Sequence, residues 1–183
     1  MSRTKIFSMT LIGMLAFTSG ISNRVEGEGT GQRRAPVLLS FHSMFGVDGA
    51  FVGDAAPVGG FEGDEFAWEI KRVVGRLDTA GNLILNVRGL VFKDDSSVPQ
   101  ELRGINDEEE FRGAVACMTE EAGQVVQRSV ITEGFPASRS GNSLIIAHVA
   151  LPSPCVSPVV LVLSGSEDAW FAATGFEDEE EQD

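Results

Sequence analysis

Residues Phe66 to Phe92 read FAWEIKRVVGRLDTAGNLILNVRGLVF. Trp68, Ile70, Val73, Val74 and Leu77 form one β-favouring run. Asp78-Thr79-Ala80-Gly81-Asn82 is a cluster of turn formers. Leu83, Leu85 and Val87 then alternate with Asn86 and Arg88. A period of two marks a strand with one buried and one wet face, so the segment predicts a β-hairpin. Gly89, inside the second run, predicts a bulge or a crowded crossing before Leu90, Val91 and Phe92.

Outward from the hairpin, the same reasoning places further strands. Towards the N-terminus, PVLLSFHSM (Pro36 to Met44) is a first strand carrying Phe41 and His42. The stretch from Gly46 to Gly63 holds six glycines with Asp48, Asp54 and Glu62, and reads as a long irregular loop with a short strand at Ala50 to Val52. Towards the C-terminus, Lys93 to Asn106 is a long connection, and Asp107 to Glu110 predicts one helical turn. Strands follow at Phe111 to Met118, Gln124 to Thr132, Leu144 to Leu151 and Val159 to Leu163, and Asp168 to Phe176 closes the domain. Long segments of helical period are scarce. The reading is all-β: a β-sandwich of about seven or eight strands, Ig-like in the broad sense, with a small closed β-barrel as the alternative. The antibody subclass fits badly, because Trp68 precedes both cysteines and the chain has no Tyr.

The ends differ from this domain. Arg3 and Lys5 precede an uncharged apolar stretch from Ile6 to Phe17, followed by Thr18, Ser19 and Gly20, the pattern of a secretory signal. The run is short of the ~20 apolar residues that span a bilayer, and no later segment approaches that length. The division expected is a signal peptide at 1–20, a flexible leader at 21–35, the β-sandwich at 36–176 and a disordered acidic tail at 177–183. The implied location is secreted, periplasmic or cell-envelope. Cys117 and Cys155 form an even pair in an exported chain, which predicts a disulfide.

The chain of 183 residues carries 14 Lys plus Arg against 27 Asp plus Glu, a formal charge of −13. That sign repels phosphate backbones and anionic lipid surfaces, so no nucleic-acid partner is expected. Enzyme signatures are missing: there is no GxSxG, HExxH, CxxC, GxGxxG or P-loop pattern. His42 and His148 read as rim or satisfied histidines, with a hydrolase or lyase role kept as the alternative. No cofactor is expected, apart from calcium. The weak calcium candidates are Asp94, Asp95, Asp107 and Glu108, with Glu109 and Glu110 beside them, because hard oxygens suit Ca²⁺. A solvated acidic loop is the plainer reading. Trp68 and Trp170 sit among apolar residues and read as core.

The stretches RGLVFKDDSSVPQELRGIND (Arg88 to Asp107) and SGSEDAWFAATGFE (Ser164 to Glu177) resemble segments of uncharacterised exported bacterial proteins that have one small β domain. The resemblance implies export and a single β domain, and brings no activity or site. The function expected is therefore a non-enzymatic binding or envelope-associated module with an extracellular or envelope partner. The secreted hydrolase or lyase and a calcium-stabilised structural protein are the other readings. The loops from Gly46 to Gly63 and from Lys93 to Asn106 are the expected recognition surface.

Overall fold

The computed structural model describes residues 34–175. The expected signal segment, residues 21–33 of the leader and the acidic tail lie outside the described residues. The described residues form ten strands: β1 Val37–Phe41, β2 Phe45–Gly46, β3 Glu62–Gly63, β4 Trp68–Asp78, β5 Asn82–Phe92, β6 Glu110–Glu121, β7 Gln124–Pro136, β8 Ser143–His148, β9 Val156–Ser164 and β10 Ala169–Ala173. Two of them are only two residues long, and the other eight match the number expected. They form two sheets packed as a sandwich, with no closed barrel. One sheet has the order β1-β4-β5-β8. The other runs β2-β10-β9-β6-β7, with β3 added in parallel beside β10.

The β4–β5 hairpin forms as the alternation requires. Leu83, Leu85 and Val87 are buried, while Ile84 and Arg88 face outward. The Asp78 carboxylate ties the turn, accepting from the amides of Ala80 at 2.9 Å and Asn82 at 3.0 Å and from Asn82 Nδ2 at 2.9 Å. These bonds to the charged form hold the Asp78 carboxyl below the ordinary carboxylate value. Gly89 is not a bulge, since the β4–β5 register runs unbroken from Trp68↔Phe92 to Leu77↔Leu83. Its φ of +65° and the Lys71 side chain lying over it explain the glycine instead.

Two further expectations are corrected. Gly49–Phe51 is a 3-10 turn capped by Asp48, not a strand. Asp107 to Glu109 are non-helical and lead directly into β6, because the amide of Glu108 is taken by the Asn106 side chain rather than by a helical carbonyl.

The continuous apolar run of β9 has a physical cause. A strand that does not alternate is buried on both faces. Val160 to Leu163 are all buried. The inner face of this sheet packs on the other sheet, where Gly113 lies against Leu83 and Ile145. The outer face is covered by the chain's own glycine-rich loop: Gly59 rests on Ala116 and Leu161, and its carbonyl accepts from Ser129 Oγ at 2.5 Å.

Trp68 joins the two sheets. Its ring stacks on Phe171 of β10 at 3.9 Å between centroids and 16°, lies 4.2 Å from Phe92 of β5, and meets Phe111 of β6 edge-on at 6.5 Å. Both Trp68 and Trp170 are buried, as their apolar contexts require. The Cys117–Cys155 disulfide forms, with Cα atoms 5.0 Å apart. It fastens the proline-rich approach to β9 onto β6. Just beyond it, β9 carries one extra residue against β6 at Ser157-Pro158. A bulge there accommodates a proline that has no N–H to give the ladder.

Candidate functional site

The two loops expected to carry recognition do meet. Lys93 at the end of β5 pairs with Asp48, the residue that caps the 3-10 turn of the glycine-rich loop, and Asp95 lies 3.8 Å from the same ammonium. The Asp48 carboxylate holds the Lys93 ammonium above its ordinary value. Asp48, Gly49, Val52, Glu65, Phe66 and Ser97 frame a concavity of about 210 Å³ next to this ion pair.

The loop itself is held in place. Val47 donates to the Phe171 carbonyl at 2.8 Å, Gly53 to Asp64 at 2.9 Å and Gly63 to Gly53 at 2.9 Å. Phe51 packs edge-on against Phe45 and Trp170. Gly63 is obligatory at this crossing: a Cβ there would strike the Phe51 carbonyl oxygen and the Val47 side chain.

Beside this junction lies the larger concavity, about 570 Å³ and open to solvent. Its wall carries five carboxylates, Glu62, Asp64, Glu65, Glu167 and Asp168, set between the bare backbones of Gly53, Gly60 and Gly63. The parallel pairing of Glu62 and Gly63 with Ala169 and Trp170 brings these residues together from positions a hundred apart in sequence. Arg112 pairs with Asp168 at 3.0 Å from one side, and no Lys or Arg lines the concavity.

Asp64 is the buried member. It accepts from Trp68 Nε1 at 2.6 Å, so one side chain links the concavity to the inter-sheet aromatic cluster. Burial raises its carboxyl above the ordinary 3.8, with the charge of Glu167 adding, while the Trp68 bond and the amides of Glu65 and Phe66 oppose. A raised folded-state value means that the charged form costs stability near neutrality. That cost fades as the pH falls through the raised value. Asp64→Asn keeps an acceptor for Trp68 and removes the charge. It is expected to melt above the native protein at pH 7, with the gap closing as the pH is lowered; melts across pH 4–8 check this. A variant that melts lower by the same margin at every pH would contradict it.

The calcium candidates occupy separate places. Asp95 is engaged by the Ser97 amide at 2.7 Å and the Ser97 hydroxyl at 2.5 Å. Glu108 accepts from the hydroxyls of Ser164 at 2.8 Å and Ser166 at 2.9 Å. Asp107, Glu108, Glu109 and Glu110 line a shallow depression with Gly165 and Ser166. Burial raises the Asp107 carboxyl. Among the described residues no three His, Cys, Asp or Glu side chains gather closely enough to hold a metal ion. Asp94 is in the same connection as Asp95 and joins no such group. His42 and His148 are exposed and line none of these concavities. Among the described residues no helix is long and apolar enough to cross a membrane.

The sequence offered no signal for the five-carboxylate wall. Glu62 belonged to the glycine-rich loop, but its convergence with Glu167 and Asp168 depends on a strand pairing of two residues. Compared with known protein families, curated proteins and solved structures, the chain matches none of them.

Proposed function

We propose that this chain is a non-enzymatic, exported or envelope-associated binding module that takes its partner at the end of the sandwich built by the Gly46–Gly63 loop. The observation that carries this reading is the pinned loop. A glycine-rich connection that could have been slack is tied down at Val47, Asp48, Gly53 and Gly63, and presents the acidic concavity preformed. Recognition loops held by a rigid scaffold lose little conformational entropy on binding. The wall of carboxylates favours a cationic partner or one rich in hydrogen-bond donors. The Cys117–Cys155 disulfide supports an oxidising compartment, secreted, periplasmic or at the cell envelope. No observation favours the hydrolase or the calcium reading over this one.

The test is capture of solubilised envelope components on immobilised protein, alongside the triple variant Glu62→Lys, Glu65→Lys, Glu167→Lys. All three side chains are exposed, so the fold should be retained. The native protein is expected to retain a component that the variant loses and that elutes as salt screens the charges. Equal capture by the variant would move the site elsewhere, and no capture by either would remove the binding reading.

A further inference from the structure

Among the described residues five strands edge the two sheets, and four of them are blunted. β2 and β3, side by side along β10, are each two residues long. β1 is short, and its register shifts between Val37 and Leu39. β7 carries Arg128, paired with Glu121, and Glu133. Short length, irregular register and charge are the means by which natural edges avoid pairing with another chain. β8 has none of them. Its sequence SLIIAH contains no formal charge, no Pro and no Gly, and its register with β5 is unbroken from Asn82↔His148 to Val87↔Ser143.

The free side of β8 can be specified. Val149, one residue past the strand, donates its amide to the Gly81 carbonyl across the β5–β8 ladder. Alternate residues of an antiparallel strand point the same way, so Ser143, Ile145 and Ala147 face β5. Leu144, Ile146 and His148 therefore present their N–H and C=O groups away from it, and among the described residues β8 pairs only with β5. The same three side chains lie on the outer face of the sheet. Ile146 and Leu144 are 58% and 53% exposed, beside exposed Ile84 and Val74. The other sheet has the part of its outer face around Ala116 and Leu161 covered by the chain's own loop; this one leaves an aliphatic stripe in solvent.

We propose that β8 is a pairing edge for a second copy of this chain, joined antiparallel about a two-fold axis at Ile146, so that the two four-stranded sheets become one of eight strands. Self-pairing of this strand is complementary. Ile146 faces its own copy, Leu144 faces His148, and each facing pair exchanges two backbone hydrogen bonds. The aliphatic stripe of one copy continues into that of the other. Charge selects the partner: at −13 overall, most of the surface repels a copy, whereas β8 is neutral throughout. The outward charges on the neighbouring strands are Arg88 on β5 and Arg72 and Arg76 on β4. Across the axis, β5 of one copy lies three strand spacings from β5 of the other, roughly 14 Å, beyond the ~8 Å screening length at physiological salt.

The experiment is sedimentation equilibrium of the full chain from 1 to 300 µM, with hydrogen exchange read at Leu144, Ile146 and His148. A concentration-dependent dimer is expected, with those three amides slowed as it forms. Ile146→Lys sets two like charges opposite each other at the axis and should weaken the dimer by about tenfold or more, without lowering the monomer's melting point. Leu144→Lys should act in the same direction. A native chain that stays monomeric throughout overturns the proposal. So does a dimer indifferent to both lysines, which would place the contact elsewhere. A monomer whose three amides are already slow would put another segment of the same chain on the edge, and overturns it as well.

Discussion

Trp68→Ala is expected to destabilise the domain by about 3–5 kcal/mol, the cost of emptying a large aromatic site in a packed core. For a domain of this size that corresponds to a Tm lowered by roughly 12–20 °C. The position explains the size of the effect. Among the described residues Trp68 is the one ring that touches Phe92 of one sheet and Phe111 and Phe171 of the other. Its removal also strips Asp64 of the N–H that it accepts, leaving a buried carboxylate without that partner. Trp68→Phe separates the two contributions: it retains most of the stacking and loses only the hydrogen bond, so it should fall between the native protein and the alanine variant. Chemical denaturation with an unchanged m-value reads both. A loss under about 1 kcal/mol for alanine would mean that the sheets do not depend on this contact.

Removing the disulfide comes next in size. Cys117 and Cys155 close a loop of 38 residues. In the chain-entropy model that constraint is worth about 3–4 kcal/mol, acting mainly on the unfolded chain. Cys117→Ser with Cys155→Ser should therefore lower Tm by roughly 10–15 °C while leaving the strand pairing intact. Cys117 is buried on β6, so a serine there adds a small cost of its own, and Cys117→Ala with Cys155→Ala controls for it. Native protein and the double variant with indistinguishable melts, before and after reduction, would show that the bond does not constrain the fold.

The parts of the fold that were legible in the sequence share one property: their signal is local. The alternation of Leu83, Leu85 and Val87 names the inner face of β5 without any knowledge of its neighbours. Asp78 to Asn82 carries its own turn chemistry. The two cysteines, an even pair in a chain with a signal-like start, favoured a bridge over two buried free thiols. What was not legible depends on partners far away in sequence. Val160 to Leu163 read as a continuous apolar run, but the cover on their outer face is a glycine-rich loop a hundred residues earlier. In β8, Leu144 and Ile146 share a face with His148, as their spacing requires. Whether that face or the one bearing Ile145 enters the core is a matter of register, and a shift of one residue reverses it. The structure buries Ile145 and leaves Leu144 and Ile146 in solvent. The acidic wall was the least accessible feature, because the two-residue pairing of β3 with β10 has no periodicity to announce it.

The loop from Gly46 to Gly63 thus has two roles that follow from one composition. Its glycines let backbone lie flat on Ala116 and Leu161, burying the outer face of a sheet. The same lack of side chains leaves room between Gly53, Gly60 and Gly63 for the carboxylates around them. Structural cover and candidate recognition surface are the two sides of the same segment.

The most direct measurement is a hydrogen-exchange footprint of the native chain with and without the envelope fraction that it retains. Slowed exchange confined to residues 46–65, 93–106 and 164–169 is the expected result. Slowing across β4, β5 and β8 instead, or no change anywhere in the described residues, would contradict recognition at the acidic end of the sandwich.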